Sequence, residues 1–134
     1  STGELWLQSF VETGALMSAI LRVAHLVLYE LAWEALVQVE DHMDDVTVLK
    51  AGSSVYNVLS IISNRETPVH QDCLSKVEWY DMLASIRDYN EAILELIGAG
   101  FCFKFDSGTI AAFSGKLLNH GVLSCSGEKI CFTY

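Results

Sequence analysis

The triplet His70-Gln71-Asp72 and the single later histidine His120 constrain this chain more than any other feature. On an extended segment, residues i and i+2 point to the same side, so His70 and Asp72 can share an ion while Gln71 turns away. A third ligand from His120 then requires another strand of the same barrel. Two imidazoles and one carboxylate grip one face of a metal and leave the other face open, the arrangement that suits Fe(II) and dioxygen chemistry. A second His-x-Asp, His42-Met43-Asp44, sits inside the acidic run Glu40 to Asp45. That run continues a helical pattern, where i and i+2 do not face each other, and it reads as solvated surface.

Context separates the two triplets. Residues 54–63, Ser-Val-Tyr-Asn-Val-Leu-Ser-Ile-Ile-Ser, are rich in β-branched and aromatic residues and are bounded by Gly52 and Asn64. Strands are expected over about 54–63, 67–72, 91–97, 100–106, 108–113, 119–124 and 128–134. The segment 91–97 is a conflict, because Glu-Ala-Ile-Leu-Glu-Leu-Ile favours helix by propensity. It is assigned to strand because the sheet must cross between the two ligand-bearing segments. Upstream, Glu4 to about Val39 is helical: Leu21, Ala24, Leu28, Leu31 and Ala35 recur near a 3.6-residue period, with Glu30 and Glu34 on the other face. Gly14 is the expected division of this helix. Residues 41–52 form a connector with a helical turn, and Cys73 to Asp88 is the longest insert near the metal, hence the expected substrate loop.

Nine residues beyond His120 stands Lys129, on the pattern Gly-Glu-Lys-Ile-Cys-Phe-Thr-Tyr. An iron dioxygenase that uses 2-oxoglutarate needs a fixed cation for the distal carboxylate, about one strand past the distal histidine. His-x-Asp, then His, then Lys in that order is more specific than its parts. Taken singly, His120 reads as a satisfied core histidine and Lys129 as a solvated strand-end lysine.

Three stretches then resemble the fungal TET/JBP-type 2-oxoglutarate and Fe(II) dioxygenases. They are Asn64-Arg65-Glu66-Thr67-Pro68-Val69-His70-Gln71-Asp72, Glu78-Trp79-Tyr80-Asp81, and Gly108 through Val122 around Asn119-His120-Gly121. The likeness runs from about Leu16 to the end. It implies an α+β protein with a double-stranded β-helix (jelly-roll) core and the N-terminal helical segment packed on the sheet. By position it makes His70, Asp72 and His120 the iron ligands and catalytic centre, and Lys129 the cosubstrate anchor. The family more often has Arg at that last position; lysine lacks the planar fork of a guanidinium. Arg65 resembles a basic residue that reaches the cosubstrate near the metal, with a loop salt bridge to Glu66 or Asp81 as the alternative. The implied reaction oxidises the methyl group of a methylated nucleobase in duplex DNA. It takes 5-methylcytosine to 5-hydroxymethylcytosine and beyond, or demethylates N6-methyladenine, after the base is flipped into the pocket.

Composition bounds the rest. At 134 residues the chain is expected to form one domain, with 1–40 as helical support and 54–134 as the β-helix core. It stops on the strand of Lys129, which leaves open both a complete barrel core and a fragment of a longer protein. The four cysteines show no CxxC pairing, no apolar run spans a membrane and no secretory leader is evident, so an intracellular, nuclear protein is expected. Charge fits DNA poorly: 8 Lys+Arg stand against 17 Asp+Glu, a net of −9. Lys76 and Arg87, flanking the expected substrate loop, are the candidate substrate contacts, with Lys104 and Lys116 completing a small basic groove. The acidic balance keeps a protein or small-molecule hydroxylase open, and a non-catalytic metal-binding barrel after it. Oligomeric state is not legible.

Overall fold

In the computed structural model, which describes residues 2–42, 54–123 and 125–134, helices and strands fall into separate units, Ser1–Asn57 and Val58–Tyr134. The helical unit holds α1 (Thr2–Ser9), α2 (Val11–Ala24) and α3 (Leu26–His42). The helix is therefore divided at Phe10 and His25 rather than at Gly14, which is buried inside α2 and donates its amide to the Phe10 carbonyl at 2.8 Å. His25 makes the second break. Its backbone leaves the helical region (φ −151°, ψ 76°) while its amide still reaches the Leu21 carbonyl at 2.7 Å. Its Nδ1 then accepts the Leu28 amide at 3.2 Å, so one residue closes α2 and caps α3. Gly14, Met17, Ser18 and Leu21 are buried at i, i+3, i+4 and i+7, one stripe of α2.

Val55 donates its amide to Ser18 Oγ at 3.0 Å, which ties this segment to α2. The expected strand over 54–63 is accordingly shorter and begins at Ser60. The connector expected over 41–52 lies outside the described residues from residue 43 onward, as does Asp44 of the second triplet.

The other unit contains β1 (Ser60–Ser63), β2 (Thr67–His70), β3 (Asp81–Ile86), β4 (Tyr89–Asn90), β5 (Ile93–Leu96), β6 (Phe101–Lys104), β7 (Ile110–Phe113), β8 (His120–Val122), β9 (Ser126–Gly127) and β10 (Ile130–Thr133). Four strands pair as β1-β10-β3-β7 and four as β2-β8-β5-β6, all antiparallel, with β4 and β9 as a small ribbon. Leu83, Phe113 and Cys131 of the first sheet cluster with Leu94, Leu96 and Val122 of the second, around Tyr89, Ala92 and Phe105. The core therefore lies between two sheets, the mixed α+β arrangement of a sandwich with helices.

Two expectations meet the sheet here. Residues 93–96 are strand despite their helical propensity, because β5 is paired on both sides, with β6 and β8. The expected insert 73–88 is interrupted: Asp81–Ile86 forms β3, held between β10 and β7 with Met82 to Ser85 buried. Met, Leu and Ala carry weak strand preference, and pairing on both edges overrides it.

Phe105 is completely buried in the core cluster. Phe105→Ala should cost about 3–5 kcal/mol through the cavity it leaves, read as a lower urea midpoint with unchanged slope. Leu74, fully exposed, supplies the control. Leu74→Ala should stay within about 0.5 kcal/mol of wild type.

Candidate metal centre

The register of β2 on β8 places His70 directly opposite His120. The pairing shifts between Thr67 and His70, so β2 bends as it reaches the site. Gly121 makes this approach feasible: a Cβ there would stand 2.9 Å from the Thr67 carbonyl oxygen and 3.0 Å from the Val69 amide nitrogen. The two imidazoles come to 4.2 Å between ring centroids, and Phe113 packs edge-on against His120 at 4.9 Å.

Asp72 lies two residues past the end of β2, not on the ladder expected through residue 72. Its amide instead donates to the Gly115 carbonyl at 3.0 Å. Its carboxylate faces both rings, with Oδ1 3.6 Å from His70 Nε2 and Oδ2 3.7 Å from His120 Nε2. These separations exceed ordinary hydrogen bonds.

The tautomers follow from the other ring nitrogens. His70 Nδ1 lies 2.9 Å from the Pro68 carbonyl, and His120 Nδ1 lies 3.0 Å from the Leu118 carbonyl. A carbonyl only accepts, so each Nδ1 carries a proton, which leaves Nε2 as the ring nitrogen through which a metal would be bound. Backbone carbonyls in this role orient metal-binding histidines and raise their basicity. Three electron-pair donors thus converge within 4.8 Å of one another. Facing lone pairs repel unless a cation lies between them, so the donor set fits a divalent metal. His120 is buried while His70 is exposed and Asp72 half-buried, which leaves one side of the site open.

Lys129 lines the same cavity of about 200 Å³ as the three donors, together with Ser60, Thr67 and Thr133. Only 2% of it is exposed, so it is not the solvated lysine of the bland alternative. Its backbone is bracketed by Asn64, whose Oδ1 accepts the Lys129 amide at 2.7 Å and whose amide donates to the Lys129 carbonyl at 2.8 Å. Asn64 adopts φ 49°, a conformation asparagine tolerates better than most residues.

The remaining candidates are dispersed. Arg65 is exposed in the turn after β1, outside the cavity lining and without an ion pair to Glu66 or Asp81. Lys76 stands over the Trp79 ring at 5.3 Å, and Lys116 Nζ donates to the Cys73 carbonyl at 2.7 Å, so both border the segment that follows Asp72. Arg87 follows the far end of β3, roughly 17 Å of strand from Asp81, and pairs with Glu128 at 3.5 Å. Lys104 pairs with Asp106 at 3.3 Å on the edge strand β6. The four cations do not form a single groove.

Two residues escaped the sequence reading. Asp81, at the start of β3, lines the cavity and accepts the Gly115 amide through Oδ2 at 2.9 Å. Burial pushes its carboxyl up, and the Gly115 hydrogen bond works against that. The fragment Glu-Trp-Tyr-Asp carried the signal for Asp81; nothing in the bare sequence singled out Gly115.

Residues 4–133 match the family model Tet_JBP, the oxygenase domain of the 2OGFeDO superfamily. No curated protein matches the chain. Replacing His70, Asp72 or His120 by alanine should each weaken Co(II) or Mn(II) binding to the metal-free protein by more than about a hundredfold, since even outer partners of such ligands are worth 10–100-fold. His42, at the exposed end of α3 with Nδ1 on the Gln38 carbonyl, is the control. His42→Ala should bind metal as wild type does; the opposite pattern would mean that the other triplet holds the ion.

Proposed function

The chain belongs to the Tet_JBP family of 2-oxoglutarate and Fe(II) dioxygenases, and we propose that it oxidises the methyl group of a methylated base in duplex DNA. The substrate we assign is 5-methylcytosine, converted to 5-hydroxymethylcytosine and further oxidised forms, with N6-methyladenine as a second methylated base. The observation that carries the reading is one cavity holding three metal donors and a buried lysine in a chain of this family. The two four-stranded sheets fit a double-stranded β-helix, which we take as the core architecture.

In this reading His70, Asp72 and His120 hold the iron, which with 2-oxoglutarate and dioxygen supplies oxidative decarboxylation coupled to C–H hydroxylation. The protein's contribution is placement. The backbone carbonyls of Pro68 and Leu118 hold His70 and His120 by Nδ1, so that each ring would offer Nε2 to the metal. Lys129 receives the distal carboxylate of the cosubstrate as a charge-assisted hydrogen bond out of water. Arg65, in the turn adjoining the Asn64 bracket, is the second cosubstrate contact we propose. The open side by His70 admits the flipped base. Lys76 and, more weakly, Arg87 are the phosphate contacts we propose, with Lys116 joining Lys76; such contacts would position the duplex without reading its sequence. A DNA substrate would place the protein in the nucleus; among the described residues no helix is long and apolar enough to cross a membrane.

The net charge of −9 favours a second reading, hydroxylation of a protein or small molecule at the same centre. Nucleoside mass spectrometry on methylated and unmethylated duplex, with succinate measured in parallel, separates the two. Oxidised 5-methylcytosine with DNA-stimulated succinate is expected. Succinate released with peptide or free acid substrates, and none with DNA, would establish the second reading.

Two predictions follow from the placement of the cations. Lys129→Ala removes one member of a desolvated charge pair, a loss of roughly 2–5 kcal/mol, or about one and a half to three and a half decades in 2-oxoglutarate requirement; Lys129→Arg should recover much of it. DNA binding should weaken with salt by a log–log slope of about −0.9 per phosphate contacted, shallow here because few cations border the site. Lys76→Ala should reduce that slope and leave uncoupled 2-oxoglutarate turnover intact. Arg87→Ala, at the far end of β3, should change the slope less; an equal effect of the two would place the duplex along the whole strand.

A further inference from the structure

The turn that precedes the distal histidine is fastened to residues 71–81 by five hydrogen bonds. Ser114 Oγ donates to the Val77 carbonyl at 2.9 Å, and Lys116 Nζ to the Cys73 carbonyl at 2.7 Å. Gln71 Nε2 donates to the Leu117 carbonyl at 3.4 Å. At the centre, Gly115 accepts the Asp72 amide at 3.0 Å and donates its own amide to Asp81 Oδ2 at 2.9 Å. Gly115 is therefore bonded on both sides and flanked by anchored neighbours. It cannot retreat.

Its lack of a side chain has a different origin from that of a turn glycine. Among the described residues the glycines with positive φ are Gly100, Gly108 and Gly127, and Gly115 is not one of them. Its backbone conformation is open to alanine. Space is not: a Cβ on Gly115 would overlap Asp72 Oδ2, and would lie 2.5 Å from Asp81 Oδ2 and 3.1 Å from Asp72 Cγ. All three nearest atoms belong to carboxylate side chains, none to backbone. A methyl group can therefore be accommodated by turning the two carboxylates away while the fold stays in place. The oxygen struck hardest, Asp72 Oδ2, is the one facing His120 Nε2 at 3.7 Å.

We infer that Gly115 and Asp81 are positioning residues for the metal: the bare Cα of Gly115 is the floor on which the Asp72 carboxylate rests, and Asp81 holds that floor by its amide. This rests on the proposal that Asp72 is a metal ligand. Asp81 has no contact with the ion in this account and acts only through Gly115.

The test is anaerobic Co(II) titration of the metal-free protein, following the visible bands of the bound ion, with thermal unfolding measured alongside. Gly115→Ala should unfold at or slightly above the wild-type temperature, because alanine restricts the unfolded chain, yet bind Co(II) about ten to a hundredfold more weakly and with altered bands. Asp81→Ala should weaken binding in the same direction, and Asp81→Asn, which keeps an acceptor oxygen for the Gly115 amide, should recover most of it. A folded Gly115→Ala protein with wild-type affinity and bands overturns the inference. Should that variant fail to fold, the Asp81 pair decides: equal, wild-type binding by both overturns it, and loss with alanine but not asparagine supports it. Absence of Co(II) binding by the wild-type protein would instead remove the metal-centre proposal itself.

Discussion

The antiparallel pairing of β2 with β8 is the constraint on which the site depends. It puts His70 and His120 at the same height on neighbouring strands, and one slipped residue would send either ring to the opposite face. Everything else about the centre adjusts to that register. Gly121 lets β2 approach β8, the irregularity between Thr67 and His70 aims the first ring, and β5 on the other side of β8 keeps the middle strand from shifting. The two imidazoles are thus set by ladder hydrogen bonds, which are collectively hard to deform, while Asp72, past the ladder, is held by its amide on the Gly115 carbonyl.

Legibility in the sequence followed the range of the interactions. The His-x-Asp spacing, the distal histidine and the lysine beyond it could be read directly because each is a local pattern of unusual residue types. Strands 93–96 and 110–113 were readable from patterning and topology together. Strand Asp81–Ile86 was not, because Met82, Leu83 and Ala84 carry no strand signal and are recruited by two partners far away in sequence. The helix break at His25 was hidden for a related reason: a histidine ring standing in for a capping side chain belongs to no common cap pattern. Gly115 was invisible because the demand on it is spatial, from carboxylates 43 and 34 residues away along the chain (115 − 72 and 115 − 81).

The cations show how little net charge says about a site. The sequence offered Lys76, Arg87, Lys104 and Lys116 as one groove, yet the fold spreads them over a loop, two strand ends and a turn, two of them already matched to Glu128 and Asp106. Surface pairs of this kind contribute little to stability. What they remove is freely available positive potential, while Lys76 over Trp79 and Lys116 on the Cys73 carbonyl stay with the segment that follows Asp72.

The bracket between Asn64 and Lys129 gives the cavity a fixed gauge. Asn64 grips the backbone of the buried lysine, and the same stretch of chain runs on through β2 to His70 and Asp72. One continuous segment therefore carries His70 and Asp72 and grips the backbone of Lys129, which ties the two polar ends of the cavity together. Long flexible side chains usually blur such an interval; here the lysine's root is clamped and its length is nearly all buried. In the reading proposed above, a cosubstrate held by Lys129 and by the donor set would be selected by its length as well as by its charge.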